Sequence, residues 1–236
     1  MELYFFSSLR SFLLDCLFPL NCIFCKQEGA LCCSRCLATV GFMESRCPFC
    51  QCATEQFRTC EACKKKNALS GALSIFNYDD PKVKQIVSAL KFRGHFSIID
   101  SLKTTMIERL LGLPCDFSSS LIIPAPQRTE SFKTRGYNQA ALLGNMIAKE
   151  LRAPFLNALG LTQQGSQHAN NQTKRWDIIS HIRMTRHLAK TMKNAIVVDD
   201  LLTTGATLEG CARALRNAGV PNIFGITLAR QYKHSH

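Results

Sequence analysis

Acidic residues are scarce in this chain of 236: 17 Asp and Glu stand against 29 Lys and Arg, a formal net charge of +12. A basic excess of this size suggests a polyanionic partner, nucleic acid or phosphate, and excludes no fold. Long uncharged apolar runs are missing too, since no window reaches the roughly 18 residues that a membrane span needs. Residues 1–20 are apolar, but Glu2, Arg10 and Asp15 interrupt them. No basic segment precedes the apolar run and no clear small-residue cleavage site follows it, so a secretory leader is not expected. Phe5, Leu9, Phe12, Leu13, Cys16 and Leu17 recur at helical spacing, which predicts an amphipathic helix over 1–20 packed on the body. The expected location is cytoplasmic, with no membrane span. Cysteine is almost absent beyond Cys63: 11 of the 13 fall between Cys16 and Cys63, leaving only Cys115 and Cys211. A disulfide scaffold is short, secreted and evenly stapled, so this distribution points to metal ligands in a reducing compartment. With 46% hydrophobic and 19% charged residues the chain can build a real core, and wholesale disorder is excluded.

The cysteines form four CxxC knuckles: Cys22–Cys25, Cys33–Cys36, Cys47–Cys50 and Cys60–Cys63. Backbone amides in a CxxC turn help hold thiolates, and four thiolates close a tetrahedral structural Zn²⁺ site. Eight ligands predict two zinc sites over residues 21–66 that fold the module and do no chemistry. Seven residues separate the first two knuckles and nine the last two. Shorter loops cost less entropy to close, which favours sequential pairing over a cross-braced arrangement. Cys32 abuts Cys33 and is an alternative ligand, while Cys16 and Cys52 read as spare. Lys64, Lys65 and Lys66 follow the last knuckle, as a phosphate-facing run or a solvated linker.

After Asn67 the pattern changes to alternating strands and helices. Strands are expected at Ala72–Tyr78, Leu121–Pro124, Ala195–Val198 and Ile223–Leu228. Helices are expected from Asp80-Pro81, over Phe96–Leu111, Asn138–Leu151 and Thr204–Ala218. The apolar run Ala195–Val198 suits the interior of a parallel sheet. Residues 67–236 are therefore expected to form one α/β domain with a mostly parallel sheet. The stretch Thr162–Lys174 lacks large apolar residues and reads as a long functional loop.

The most specific sequence is Val197-Val198-Asp199-Asp200-Leu201-Leu202-Thr203-Thr204-Gly205-Ala206-Thr207. A strand runs into two carboxylates, then a Thr- and Gly-rich turn, then a helix. Amides of residues 203–207 can wrap a phosphate at the helix N-terminus. Gly205 permits close approach, and the hydroxyls of Thr203, Thr204 and Thr207 add donors. Asp199 and Asp200 are expected just outside the strand's carboxyl end, where α/β sheets place ligands and where carboxylates accept from sugar hydroxyls. A ribose phosphate fits this chemistry.

The turn resembles the phosphoribosyl-pyrophosphate (PRPP) motif of type I phosphoribosyltransferases. The order of the zinc knuckles, Lys91–Gly94 (KFRG), Ile123–Arg128 (IPAPQR), Arg135–Ala140 (RGYNQA) and the PRPP motif is similar to that of the ComF/GntX family, over about residues 15–232. The resemblance implies a type I phosphoribosyltransferase-like domain behind a double zinc ribbon, in a cytoplasmic competence protein that handles incoming single-stranded DNA. It further implies that Asp199 and Asp200 bind ribose hydroxyls and act as the catalytic acids, with Mg²⁺ accompanying PRPP. Thr203, Thr204, Gly205, Ala206 and Thr207 would take the 5′-phosphate. Ala125, Pro126, Gln127 and Arg128 would form the pyrophosphate loop, with Lys133 and Arg135 offsetting charge. The flexible-loop segment departs from the family: an Arg-rich stretch is replaced by Gln167-His168-Ala169-Asn170-Asn171-Gln172, with Gln167, Lys174 and Arg175 retained.

Residues 71–236 hold 21 basic and 11 acidic residues, so most of the positive excess lies on the body. Lys91, Arg93, Lys133, Arg135, Lys174 and Arg175 are candidates for single-stranded DNA contact. Three readings stay open: a PRPP-binding competence protein that handles DNA, an active phosphoribosyltransferase with an unknown acceptor, and a zinc-ribbon adaptor for a DNA-uptake helicase.

Overall fold

The structure is a computed structural model that describes residues 20–92, 97–113, 117–162, 179–189 and 191–232. The expected N-terminal helix lies outside them, as do Arg93, Lys174, Arg175, His168 and nearly all of the polar loop. In chain order the elements are α1 (Ser34–Leu37), α2 (Glu61–Lys64), β1 (Gly71–Asn77), α3 (Pro81–Phe92), α4 (Ser97–Leu111), β2 (Ser120–Pro124), α5 (Thr129–Arg135) and α6 (Gln139–Glu150). They continue with β3 (Leu159–Leu161), β4 (Ile182–Met184), β5 (Asn194–Leu202), α7 (Ala206–Asn217) and β6 (Asn222–Arg230).

The central sheet has the order β1-β6-β5-β2, and every pairing is parallel. β3 and β4 form a small antiparallel pair that the sequence pattern does not predict. The period-2 alternation of strand side chains splits the apolar residues between two layers. Leu73, Ile75, Ile122, Ile196, Val198 and Ile226 pack with Val83, Ile86, Val87 and Leu90 of α3, Ile98, Leu102, Met106 and Leu110 of α4, and Leu143 and Ile147 of α6. Ala72, Leu121, Ile123, Ala195, Val197 and Ile223 face the other way, onto Leu208, Cys211, Ala212 and Leu215 of α7. Helices on both faces of a parallel sheet are the α/β architecture expected from the alternating pattern.

Two local readings are corrected. Arg135, just ahead of the expected helix Asn138–Leu151, ends an unexpected short helix α5, and Gly136 at φ +76° stops it in the left-handed region. α6 then starts after Asn138, whose side chain accepts from the Ala140 amide. β5 also runs past Val198 to Leu202, so Asp199 and Asp200 lie within the strand rather than beyond it. The reason is their neighbour: β6 extends to Arg230 and keeps pairing with β5 through Asp199↔Thr227 and Leu202↔Arg230. On the opposite side β2 stops at Pro124↔Val198, so that flank of the acids is vacated by the sheet.

The two cysteine-rich ribbons have the same local backbone. Asn21↔Glu28 and Arg46↔Ala53 each close a short antiparallel turn around a knuckle. Lys26 (φ +64°) and Gln51 (φ +66°) follow the second cysteine of each knuckle, in the same left-handed conformation. Cys33 and Cys60 then cap the short helices α1 and α2 in extended geometry. Their packing differs. Leu31, Cys32, Leu37 and Val40 of the first ribbon enter the layer built by α3 and α4, whereas Phe49 of the second packs against the α7 layer.

Candidate functional site

Two four-cysteine groups are assembled, Cys22/Cys25/Cys33/Cys36 and Cys47/Cys50/Cys60/Cys63, each with its ligand atoms within 4.8 Å of one another. The pairing is sequential, as the loop lengths favour. In the first group burial alone raises the Cys22 thiol, but the backbone amides of Cys33, Cys25 and Phe24 outweigh it and bring it to about 6. Cys36 is pushed up to about 12 by burial and then by the sulfurs around it. In the second group the Cys52 amide lowers Cys50, while burial and then the sulfurs of Cys50, Cys60 and Cys47 raise Cys63. Amides that stabilise some thiolates, beside thiols that cannot ionise without a cation, are the donor chemistry of a structural metal. Both groups could hold Zn²⁺, with no open position for substrate. Cys32 lies outside the four-ligand set and is instead buried in the core layer built by α3 and α4. Cys52 is exposed and lies 3.4 Å from Cys50, outside the four-ligand set.

The second feature sits where β5 meets α7. Gly205 caps α7 at φ +83°, and the Thr204 hydroxyl accepts from the Ala206 amide at 3.3 Å. The amides of the first helical turn have no intrahelical acceptor, and the helix dipole points its positive end here. The Asp199 carboxylate accepts from the Asp200 amide at 2.8 Å. Asp200 pairs with Lys91 at 3.1 Å, both side chains being largely buried. Lys91, read from sequence as a DNA contact, is thus placed against the acidic pair.

Burial, and next the negative charge of Asp200, push the Asp199 carboxyl up to about 8 from an ordinary 3.8. The protonated form is therefore favoured in the folded state. Its stabilising contribution is full below about pH 4 and is lost as pH rises to about 8. Asp199→Asn, neutral at every pH, should gain stability over the native chain between pH 5 and pH 8, and the gain should level off beyond. Thermal melts across that range decide it, and a difference that stays constant with pH counts against this account.

The loop after β2 completes the site. The Ala125 amide donates to the Val198 carbonyl at 2.8 Å, which lays residues 125–128 beside the acids. Both polar atoms of the Gln127 side chain are buried without a hydrogen-bond partner among the described residues. An orphaned amide at this place is suited to a polar ligand, because an unmet buried group is costly. Arg128 and Lys133 are exposed, and Arg135 is half-buried, its guanidinium 3.5 Å from the Gln139 side-chain oxygen.

The last residues of the RGYNQA segment have a role that their sequence does not mark. Tyr137 donates its hydroxyl proton to the Leu90 carbonyl at 2.7 Å, just before Lys91. Asn138 donates to the Ala125 carbonyl at 2.9 Å. One tight turn thereby ties the Lys91 segment to the Gln127 loop. Glu209, fully buried in α7, was missed as well: it accepts from the Ala68 and Leu69 amides and from Arg213. Nothing in sequence marks it, since an acid in a first helical turn is ordinary.

No family model matches the chain. Among curated proteins it is 30% identical to competence protein ComFC of Bacillus subtilis over 159 residues, 66% of this chain and 63% of that protein. It therefore spans under two thirds of that relative's length. It is 26% identical to competence protein F of Haemophilus influenzae over 230 residues, 90% of this chain and 98% of that one. A ComFC of Streptococcus pneumoniae is 23% identical over 87% of this chain and 90% of its own. The chain is similar to these competence proteins over most of its length. Among solved structures, adenine phosphoribosyltransferase from Trypanosoma brucei is similar at TM-score 0.40 and 14% identity, over 67% of this chain and 83% of that one. The enzyme from Leishmania tarentolae is similar at 0.35 and 15%, over 56% and 70%. The α/β assignment of this chain stands on its own strand order. No described helix is long and apolar enough to cross a membrane.

Proposed function

We propose that this chain is a cytoplasmic competence protein that binds PRPP at the β5–α7 turn and handles incoming single-stranded DNA. Residues 21–66 serve as its zinc-ribbon module and residues 67–236 as its phosphoribosyltransferase-like body. The competence role rests on the relatives' names. The observation that carries ribose-phosphate binding is the left-handed Gly205 turn at the head of α7, directly after two carboxylates on a flank that β2 has vacated.

In this reading residues 203–207 take the 5′-phosphate through amides and hydroxyls. Asp199 and Asp200 accept from the ribose hydroxyls. The carboxylates are hard oxygen donors of the kind Mg²⁺ takes, and Mg²⁺ would supply charge neutralisation on the pyrophosphate. Lys91 holds Asp200 in place and keeps it compatible with the neighbouring acid. Gln127 orients the pyrophosphate side through its otherwise unpartnered amide. If transfer to an acceptor occurs, the chain contributes position and charge stabilisation rather than covalent chemistry.

DNA handling is supported by the net charge of +12 and by an open groove of about 500 Å³ lined by Phe42, Arg46, Gln51, Asn77 and Tyr232, among others. There Arg46, paired with Glu44 at 2.7 Å, lies 5.9 Å from the Tyr232 ring. Aromatic rings beside a cation offer a stacking surface for a single strand.

Calorimetric titration of Mg²⁺–PRPP into the zinc-loaded chain tests the reading. Saturable binding is expected, with a loss of about 100-fold in Asp199→Ala/Asp200→Ala, the scale of one charge-assisted contact from Asp200 and one neutral hydrogen bond from Asp199. No binding by a folded native chain rejects it. Pyrophosphate release on adding an acceptor would instead favour an active transferase.

A further inference from the structure

The phosphate-type turn is walled by the second cysteine ribbon. A Cβ placed on Gly205 would lie 3.2 Å from the Phe49 ring and 3.6 Å from the Pro48 carbonyl oxygen. Pro48 and Phe49 are the two residues inside the Cys47–Cys50 knuckle. The buried Arg230, last residue of β6, donates to the Cys47 and Pro48 carbonyls at 2.9 and 3.2 Å. Beyond Cys63 the chain is tied to α7, the helix that the turn starts: Arg213 donates to the Lys66 carbonyl and Arg216 to the Ala68 carbonyl. The first ribbon touches other elements, with the Cys32 amide donating to Ser101 of α4 and Lys82 of α3 reaching Thr39. Two metal-type sites with one backbone design are thus seated in different places, and one of them abuts the turn.

We propose that the Cys47/Cys50/Cys60/Cys63 site is a positioning device for ribose-phosphate binding, acting through Phe49. The metal sets the shape of the knuckle, the knuckle seats Phe49 on Gly205, and that contact holds residues 203–207 in their anion-binding conformation. Beyond the Ala206 amide bond to the Thr204 hydroxyl, the turn rests on Gly205, a residue with wide conformational freedom that a fixed wall restricts. The proposal rests on the ribose-phosphate reading of that turn, and it predicts that the two metals are unequal: loss of the second weakens ligand binding and loss of the first does not.

The test uses the full zinc-loaded chain with two readouts: amide hydrogen exchange at residues 203–207 without ligand, and Mg²⁺–PRPP affinity. Phe49→Ala should keep its full zinc content, exchange faster at 203–207 and bind PRPP roughly tenfold more weakly, the scale of one lost aromatic contact. Phe49→Leu should restore most of both. Cys60→Ser/Cys63→Ser should match or exceed Phe49→Ala, while Cys33→Ser/Cys36→Ser should leave exchange at 203–207 near the native rate. Native exchange in Phe49→Ala overturns the proposal, as does an equal effect of the two cysteine pairs. If a cysteine variant does not fold, Phe49→Ala and Phe49→Leu decide. If the native chain binds no PRPP, the ribose-phosphate reading falls, and exchange still reports whether the knuckle braces the turn.

Discussion

Stripping metal with a strong chelator should unfold residues 21–66 and lower the thermal midpoint of the whole chain by well over 10 °C, given that structural zinc contributes on the order of 10 kcal/mol to folding. Little else holds these segments. α1 and α2 are four residues each, too short to persist alone. Neither has a side-chain N-cap bond, and their caps are the ligands Cys33 and Cys60. The knuckles also place non-glycine residues at positive φ, namely Lys26 and Gln51, which is unfavourable unless the surroundings enforce it. A metal is the enforcing element. The body should suffer as well, because Leu31, Leu37 and Val40 complete one core layer. Metal analysis should return two zinc ions per chain, and a Co²⁺-loaded sample should give the absorption of tetrahedral thiolate sites. A chelated chain that melts as before, with its zinc demonstrably gone, would falsify this account.

Glu209→Ala is expected to cost about 3–5 kcal/mol, the range for removing one partner of a buried charge cluster. The carboxylate is completely buried and serves three groups at once. It accepts from the Ala68 amide at 3.0 Å, the Leu69 amide at 3.1 Å and Arg213 Nε at 2.6 Å. Alanine would leave two backbone donors inside the protein without acceptors. At roughly 2–4 °C per kcal/mol for a chain of this size, the melting point should fall by about 10 °C. Glu209→Gln should fall between, since it keeps one acceptor but turns an NH₂ towards donors. Arg213→Ala should cost much less, because that side chain is half-exposed. Melting within a couple of degrees of the native chain for Glu209→Ala would show that water replaces the carboxylate at little cost.

How much of this was legible beforehand depended on whether a signal was local. The four knuckles state their own pairing through spacing, and the 3.6-residue periodicity of Val83, Ile86, Val87 and Leu90 gave a helix face that proves buried. The Asp199–Thr207 stretch carried its turn chemistry in a single run of residues. What escaped was long-range. Whether Asp199 ends a strand or lies inside it is decided by how far β6 runs, and no local pattern near Asp199 contains that. Lys91 looked like a surface charge until the fold set it beside Asp200. Phe49 carried no signal of its own, and Arg230 lay beyond the expected strand Ile223–Leu228, which in fact runs on to include it. Their roles come from contact between segments some 180 residues apart in sequence, as in the bond from Arg230 to Cys47.

The strand order carries a consequence for how the chain is made. β6 is the last described strand, yet it lies in the sheet's interior, flanked by β1 and β5. β1, translated some 150 residues earlier, has among the described residues no other partner strand in that sheet beyond single bridges to Phe42 and Arg58, and gains its ladder only when Asn222–Arg230 arrives. Contacts of such high sequence separation form late and slowly. On the ribosome, then, the ribbons can take up metal early while the sheet stays open until its keystone is threaded in. The apolar residues of β1 spend that interval exposed, so the nascent chain calls for shelter from a chaperone or for rapid completion.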